Sequence, residues 1–97
     1  MSTFWLWTGK DDTPRLSRMQ RVLAGLAKRM KELRRRQGLS QEAFADHAGL
    51  HRVAIGWIEQ CKRVPSLKTL VKISQGFGIS LSELLKGVDK GITKKRQ

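Results

Sequence analysis

The sequence predicts an all-α fold of five helices, and three observations lead there. Apolar residues recur at steps of three and four, serines stand where those runs begin, and glycines stand where they end. No stretch alternates apolar and polar residues with the period of two that a strand requires, and no internal repeat is present.

The first helix is the longest. Asp12 or Thr13 followed by Pro14 reads as a cap with proline at the first helical position. Leu16, Met19, Leu23, Leu26, Met30 and Leu33 then form one stripe that runs to about Gln37, a rod of roughly 35 Å at 1.5 Å per residue. Gly25 lies off the stripe and costs up to about 1 kcal/mol, which leaves a break open there. Gly38 ends this helix. Ser40 is a good N-cap, its hydroxyl accepting from the free amides of the next turn, so a second helix opens at Gln41 and carries Ala43, Phe44 and Ala48. Gly49 permits the left-handed backbone of a sharp turn, and Leu50 plugs that turn.

A third helix runs from Arg52 to Gln60. Ile55 and Ile58 form its buried stripe, while Val53, Gly56, Trp57 and Gln60 face away. Lys62-Arg63-Val64-Pro65 is a basic connector. Ser66 caps a fourth helix with the core face Leu67, Leu70, Val71, Ile73 and Ser74, which Gly78 terminates. Ser80 or Ser82 opens a short fifth helix with Leu81, Leu84 and Leu85, closed by Gly87. The organisation expected is an aromatic and basic extension over residues 1–20, a helical domain over 21–87 and a flexible basic tail over 88–97.

A length of 97 residues suits one small core and predicts no fused catalytic or ligand-sensing domain. With 20 Lys and Arg against 8 acidic residues, the net charge of +12 favours a polyanionic partner. The single cysteine cannot form an intrachain disulfide, and no apolar run approaches the roughly 20 residues needed to span a bilayer. The opening Phe-Trp-Leu-Trp is too short for a signal-peptide core, so a cytoplasmic protein is expected.

Two short helices around a Gly49 turn on a strongly basic chain are the layout of a DNA-reading helix-turn-helix. The chain resembles the Cro/cI (XRE, lambda-repressor-like) family. The residues that carry the resemblance are Leu33-Arg34, Leu39-Ser40-Gln41, Phe44-Ala45, Gly49, Ile58-Glu59, Lys62-Arg63 and Pro65-Ser66. The likeness extends over about residues 23–87. Three positions depart from the family pattern: His51 replaces the usual Ser or Thr cap of the recognition helix, Cys61 replaces the Gly that ends it, and Val64 occupies a normally polar place. The resemblance implies a five-helix lambda-repressor-like domain, here with an N-terminally extended first helix.

In helix-turn-helix geometry the start of the second motif helix enters the major groove while the first crosses the backbone. Arg52 is the leading base reader, because its planar fork can donate twice to guanine; a phosphate contact is the alternative. Val53 can pack on a thymine methyl or cover the domain's own edge. Gly56 lets the helix approach a base closely. The family pattern turns Trp57 toward the groove, where it lies along sugar or thymine surface unless it is a partly packed surface aromatic. The resemblance further implies that Gln41 binds a phosphate and braces the recognition helix, and that Gln60, Lys62, Arg63 and Lys68 hold the DNA backbone. His51 either caps its helix or meets a phosphate. Arg34 and Glu59 match a structural ion pair between the first helix and the recognition helix.

His47, His51 and Cys61 lack a metal-ligand spacing, Cys61 lacks an activating constellation, and no phosphate loop or paired carboxylates are present, so neither an enzyme nor a cofactor or metal site is expected. The expected function is a sequence-specific transcriptional regulator on double-stranded DNA, a homodimeric repressor reading a palindromic operator. Relatives pair through the last helix, which here offers Ile79, Leu81, Leu84 and Leu85; Leu16 and Met19 with Phe4, Trp5 and Trp7 offer a second surface, for the domain itself or a second subunit. Lys10, Arg15, Arg18 and Arg21 alternatively form an arm along DNA. The competing reading is an antitoxin that docks a protein toxin through the aromatic N-terminus and autoregulates through the same domain. Nonspecific nucleic-acid coating is a third, and a membrane-surface helix is disfavoured because its stripe is needed for the core.

Overall fold

The computed structural model describes residues 17–89 of the chain. Among these the elements are α1 (Arg18–Gln37), α2 (Gln41–Ala48), α3 (Arg52–Glu59), α4 (Leu67–Phe77) and α5 (Leu81–Leu84). No helix among the described residues is long and apolar enough to cross a membrane.

Local chemistry sets most of these limits. Ser40, Ser66 and Ser80 each accept a hydrogen bond from the backbone N–H three residues on, which opens α2, α4 and α5. Gly38, Gly49 and Gly78 close α1, α2 and α4 in the left-handed conformation. The start of α1 differs from the expectation. Ser17 is its N-cap, and Ser17 with Gln20 forms a reciprocal capping box that satisfies two backbone donors. The helix therefore opens at Arg18, not at Pro14, and is about 30 Å long. The proposed cap at Asp12 or Thr13, with Phe4, Trp5, Trp7, Lys10, Arg15 and Leu16, lies outside the described residues.

The core sits between the helices, with α2 packed on α4, α3 on α1 and α2, and α5 on α4. Met30, Phe44, Ile55, Ile73 and Leu84 are wholly buried, each side chain contributing on the order of 1.5–3 kcal/mol of transfer free energy. Phe44 of α2 and Phe77 of α4 stack with ring centroids 4.0 Å apart. Polar ties join the helices at the rim. Gln37 Nε2 donates to Phe77 O at 3.1 Å, and Arg29 donates to the Glu83 and Leu84 carbonyls and to the Glu83 carboxylate. Arg29 thereby fixes the four-residue α5 against α1.

Four packing expectations are corrected. Met19 is half exposed, so the buried stripe of α1 begins at Leu23. Leu67 is 66% exposed and Val71 37%, because the buried face of α4 is Ile73, Ser74 and Phe77 with Leu70 beside it. Val88, assigned to the tail, is buried in the core cluster. Gly25 does not break α1. Its hydrogen makes room for the backbone of Val88, since a Cβ there would lie 2.3 Å from the Val88 carbonyl oxygen.

Candidate nucleic-acid interface

The sequence of α3 divides it into two faces. Ile55 and Ile58 are buried, while Arg52, Val53 and Trp57 are exposed and Gly56 lies between them at the surface. Positions 53, 56, 57 and 60 follow the i, i+3, i+4, i+7 spacing of one helical face, so the residues assigned to base contact are brought together. Arg52 stands at the first position of α3 and makes no ion pair or hydrogen bond among the described residues. Among the described residues nothing engages its guanidinium.

The ends of α3 carry the two unusual residues. His51 is the N-cap but its side chain makes no capping hydrogen bond, which removes the first of the two roles expected of it. It is exposed, and in the first turn the Ala54 amide donates to His51 O at 3.0 Å, leaving the amides of Arg52 and Val53 to bind an anion. At the other end Gln60 is the C-cap, one residue beyond α3, and Cys61 takes φ of 61°, a left-handed conformation that glycine normally supplies. The amides of Cys61 and Lys62 bond back to Ile58 O and Trp57 O at 3.0 and 2.8 Å. These bonds close the helix despite the wrong residue.

A polar hub behind α3 fixes its position. Glu59 is buried, and its carboxylate accepts from Arg34 Nε at 2.8 Å, Arg34 Nη2 at 3.0 Å and Gln41 Nε2 at 3.0 Å. Arg34 Nη1 also donates to Leu39 O at 2.9 Å, so one guanidinium joins α1, the α1–α2 turn and α3. Gln41, half-buried at the start of α2, links the two motif helices through its amide.

Beyond α3, Gln60, Lys62, Arg63 and Lys68 are all exposed. Arg63 is engaged: its guanidinium carbon lies 4.2 Å from the Trp57 ring centroid, a cation–π contact that holds the indole on the outer face. This pairing is absent from the sequence reading, because a six-residue separation across a helix end has no periodic signature. The reading also missed Lys28, Lys31 and Arg35, which with Glu59 and Cys61 line a shallow cleft of about 350 Å³ beside the end of α3. Of the residues assigned to pairing of two subunits, Ile79, Leu81 and Leu85 are half-buried, whereas Leu84 is wholly buried in its own subunit and has no surface to offer.

The helix-turn-helix family model matches residues 30–84 of the chain. The chain is 46% identical over 68 residues to the HTH-type transcriptional regulator PuuR of Escherichia coli, an overlap of 68% of this chain and 37% of that protein. It thus spans little more than a third of the length of that relative. Against the control protein C.MunI of Mycoplasma it is 46% identical over 63 residues, covering 64% of this chain and 85% of the other. The crystal structure of the restriction-modification controller protein C.AhdI from Aeromonas hydrophila is similar in fold, with a TM-score of 0.62 at 37% identity over 64% of this chain and 94% of that one.

Proposed function

Because the chain belongs to the HTH_3 helix-turn-helix family, we propose that it is a transcriptional regulator that binds double-stranded DNA sequence-specifically through the outer face of α3. The observation that carries this reading is the composition of that face. Arg52, Val53, Gly56 and Trp57 share it, with Arg52, Val53 and Trp57 exposed and Trp57 held by the Arg63 stack, while the opposite face is locked by Ile55, Ile58 and the Glu59 hub. A rigidly held helix with a bare outer face suits insertion into the major groove.

Each residue has a role in this reading. Arg52 donates bidentately to a guanine, and Gly56 allows close approach. Gln41, His51, Gln60, Lys62, Arg63 and Lys68 neutralise or hydrogen-bond phosphates and set the register. The net charge of +12 supplies the long-range attraction. We further propose that the protein acts as a homodimer on an inverted repeat and represses by occlusion, since one such domain reads only a few base pairs and two half-sites about 34–36 Å apart double the readout. Ile79, Leu81 and Leu85, half-buried in one subunit, form the pairing surface. The antitoxin alternative depends on Phe4, Trp5 and Trp7, outside the described residues, and no described feature favours it. The test is selection of bound duplexes from a random library at about physiological salt. An inverted-repeat consensus supports a dimeric reader, a single short site makes it a monomeric one, and absence of enrichment refutes sequence-specific binding.

A further inference from the structure

The outer face of α3 is poor in hydrogen-bonding groups. Between Arg52 at its start and Gln60 past its end it presents Val53, 48% exposed, Gly56, and Trp57, 38% exposed. The only polar atom there is the indole N–H. Such a face cannot read the donor and acceptor pattern of several base pairs, since that needs amide, guanidinium or carboxylate groups along the helix. It can read the one apolar group the major groove displays.

We infer that this face recognises the 5-methyl groups of thymines through the apolar surface that Val53 and Trp57 form together, with Gly56 beside Val53 leaving room for the bases; the inference rests on the reading of α3 as the base-contacting helix. Val53 and Trp57 are four residues apart and therefore neighbours on one face. Gly56, three residues after Val53, lies on the other side of Val53 from Trp57, and a Cβ built there would meet nothing closer than Gln41 Oε1 at 3.9 Å. The missing side chain is thus not required by packing within the protein, unlike that of Gly25, and its absence lets the helix approach DNA closely beside Val53. The Arg63 guanidinium, 4.2 Å from the Trp57 ring centroid, covers part of the indole and restrains its rotation, so the apolar surface is set before DNA arrives. Arg52, ahead of this apolar surface, is left to read a guanine, and the combined preference is for a guanine followed by thymines within each half-site.

The test uses the full-length protein and the duplex it selects from a random library. Each thymine of the consensus is replaced in turn by deoxyuridine, which removes one methyl group and leaves every hydrogen-bonding atom in place. Wild-type protein is expected to lose about threefold to fivefold in affinity at each contacted thymine, the transfer free energy of one methyl. Val53→Ala and Trp57→Ala, checked for an unchanged melting temperature, are expected to make the deoxyuridine substitution silent at the thymine each residue covers. A consensus on which every deoxyuridine duplex binds like its parent overturns methyl recognition while leaving the base-reading role of α3 standing. A library without any consensus overturns both.

Discussion

Arg34 and Glu59, 25 positions apart in the sequence, meet through two parallel hydrogen bonds of 2.8 and 3.0 Å that tie α1 to the end of α3. The carboxylate is 2% exposed and the guanidinium 17%, so each depends on the other for its solvation. Glu59→Ala strands a largely buried cation and removes the acceptor of Gln41. It is expected to cost about 3–5 kcal/mol in urea unfolding, with the double variant Arg34→Met/Glu59→Leu costing less than Glu59→Ala alone. A double variant that is as unstable as the sum of both single changes contradicts this.

Gly25→Ala tests the contact between α1 and the end of the described chain. Replacing glycine in a helix normally stabilises by up to about 1 kcal/mol. Here the new Cβ would fall 2.3 Å from the Val88 carbonyl oxygen, so the segment carrying Val88 must move. The net expectation is a loss of about 1–2 kcal/mol, with faster amide exchange at Val88, whose N–H bonds Leu85 O at 3.0 Å. A raised melting temperature would show that the contact is not made in solution.

Cys61→Gly is expected to do the opposite. A non-glycine residue at φ of 61° carries a cost of roughly 1–2 kcal/mol, which glycine relieves, while its greater freedom in the unfolded chain offsets part of that gain. The predicted gain is about 0.5–1 kcal/mol by chemical denaturation, while Cys61→Ala, which keeps the Cβ, is expected to change little.

The contrast between these glycine and cysteine positions shows what was legible in the sequence. Ser40, Gly49, Ser66 and Gly78 act within one or two turns of themselves, so the limits of α2 and α4 could be read directly. Ser17 acts just as locally, but Pro14, two residues ahead of the apolar stripe that starts at Leu16, is the louder signal. Leu67 and Val71 were assigned to the core because their spacing fits a stripe. Periodicity does not say which of two overlapping stripes is covered, and packing chose Ile73 and Phe77. Val88 and Gly25 are a long-range pair with no pattern at all. Within the site, the residues of α3 and the Arg34–Glu59 pair could be named from spacing and family resemblance, whereas the Arg63–Trp57 stack depends on how the chain leaves α3.

Lys62 and Lys68, both exposed beside the start of α4, are assigned to phosphates. Lys62→Ala and Lys68→Ala are each expected to weaken binding about equally on all duplexes and to lower the slope of log affinity against log salt by about 1. A change confined to particular base pairs would move the residue from backbone positioning to base reading.

The most direct test of base reading by α3 is to repeat the duplex selection with Arg52→Ala beside the wild type. Arg52 starts the helix and has no partner among the described residues, so its loss leaves the fold intact. The predicted result is a consensus of unchanged length that becomes indifferent at one guanine per half-site, at a cost of about 1–3 kcal/mol on the original duplex. An unchanged consensus with uniformly weaker binding would place Arg52 on a phosphate and contradict its assignment as the base reader of this surface.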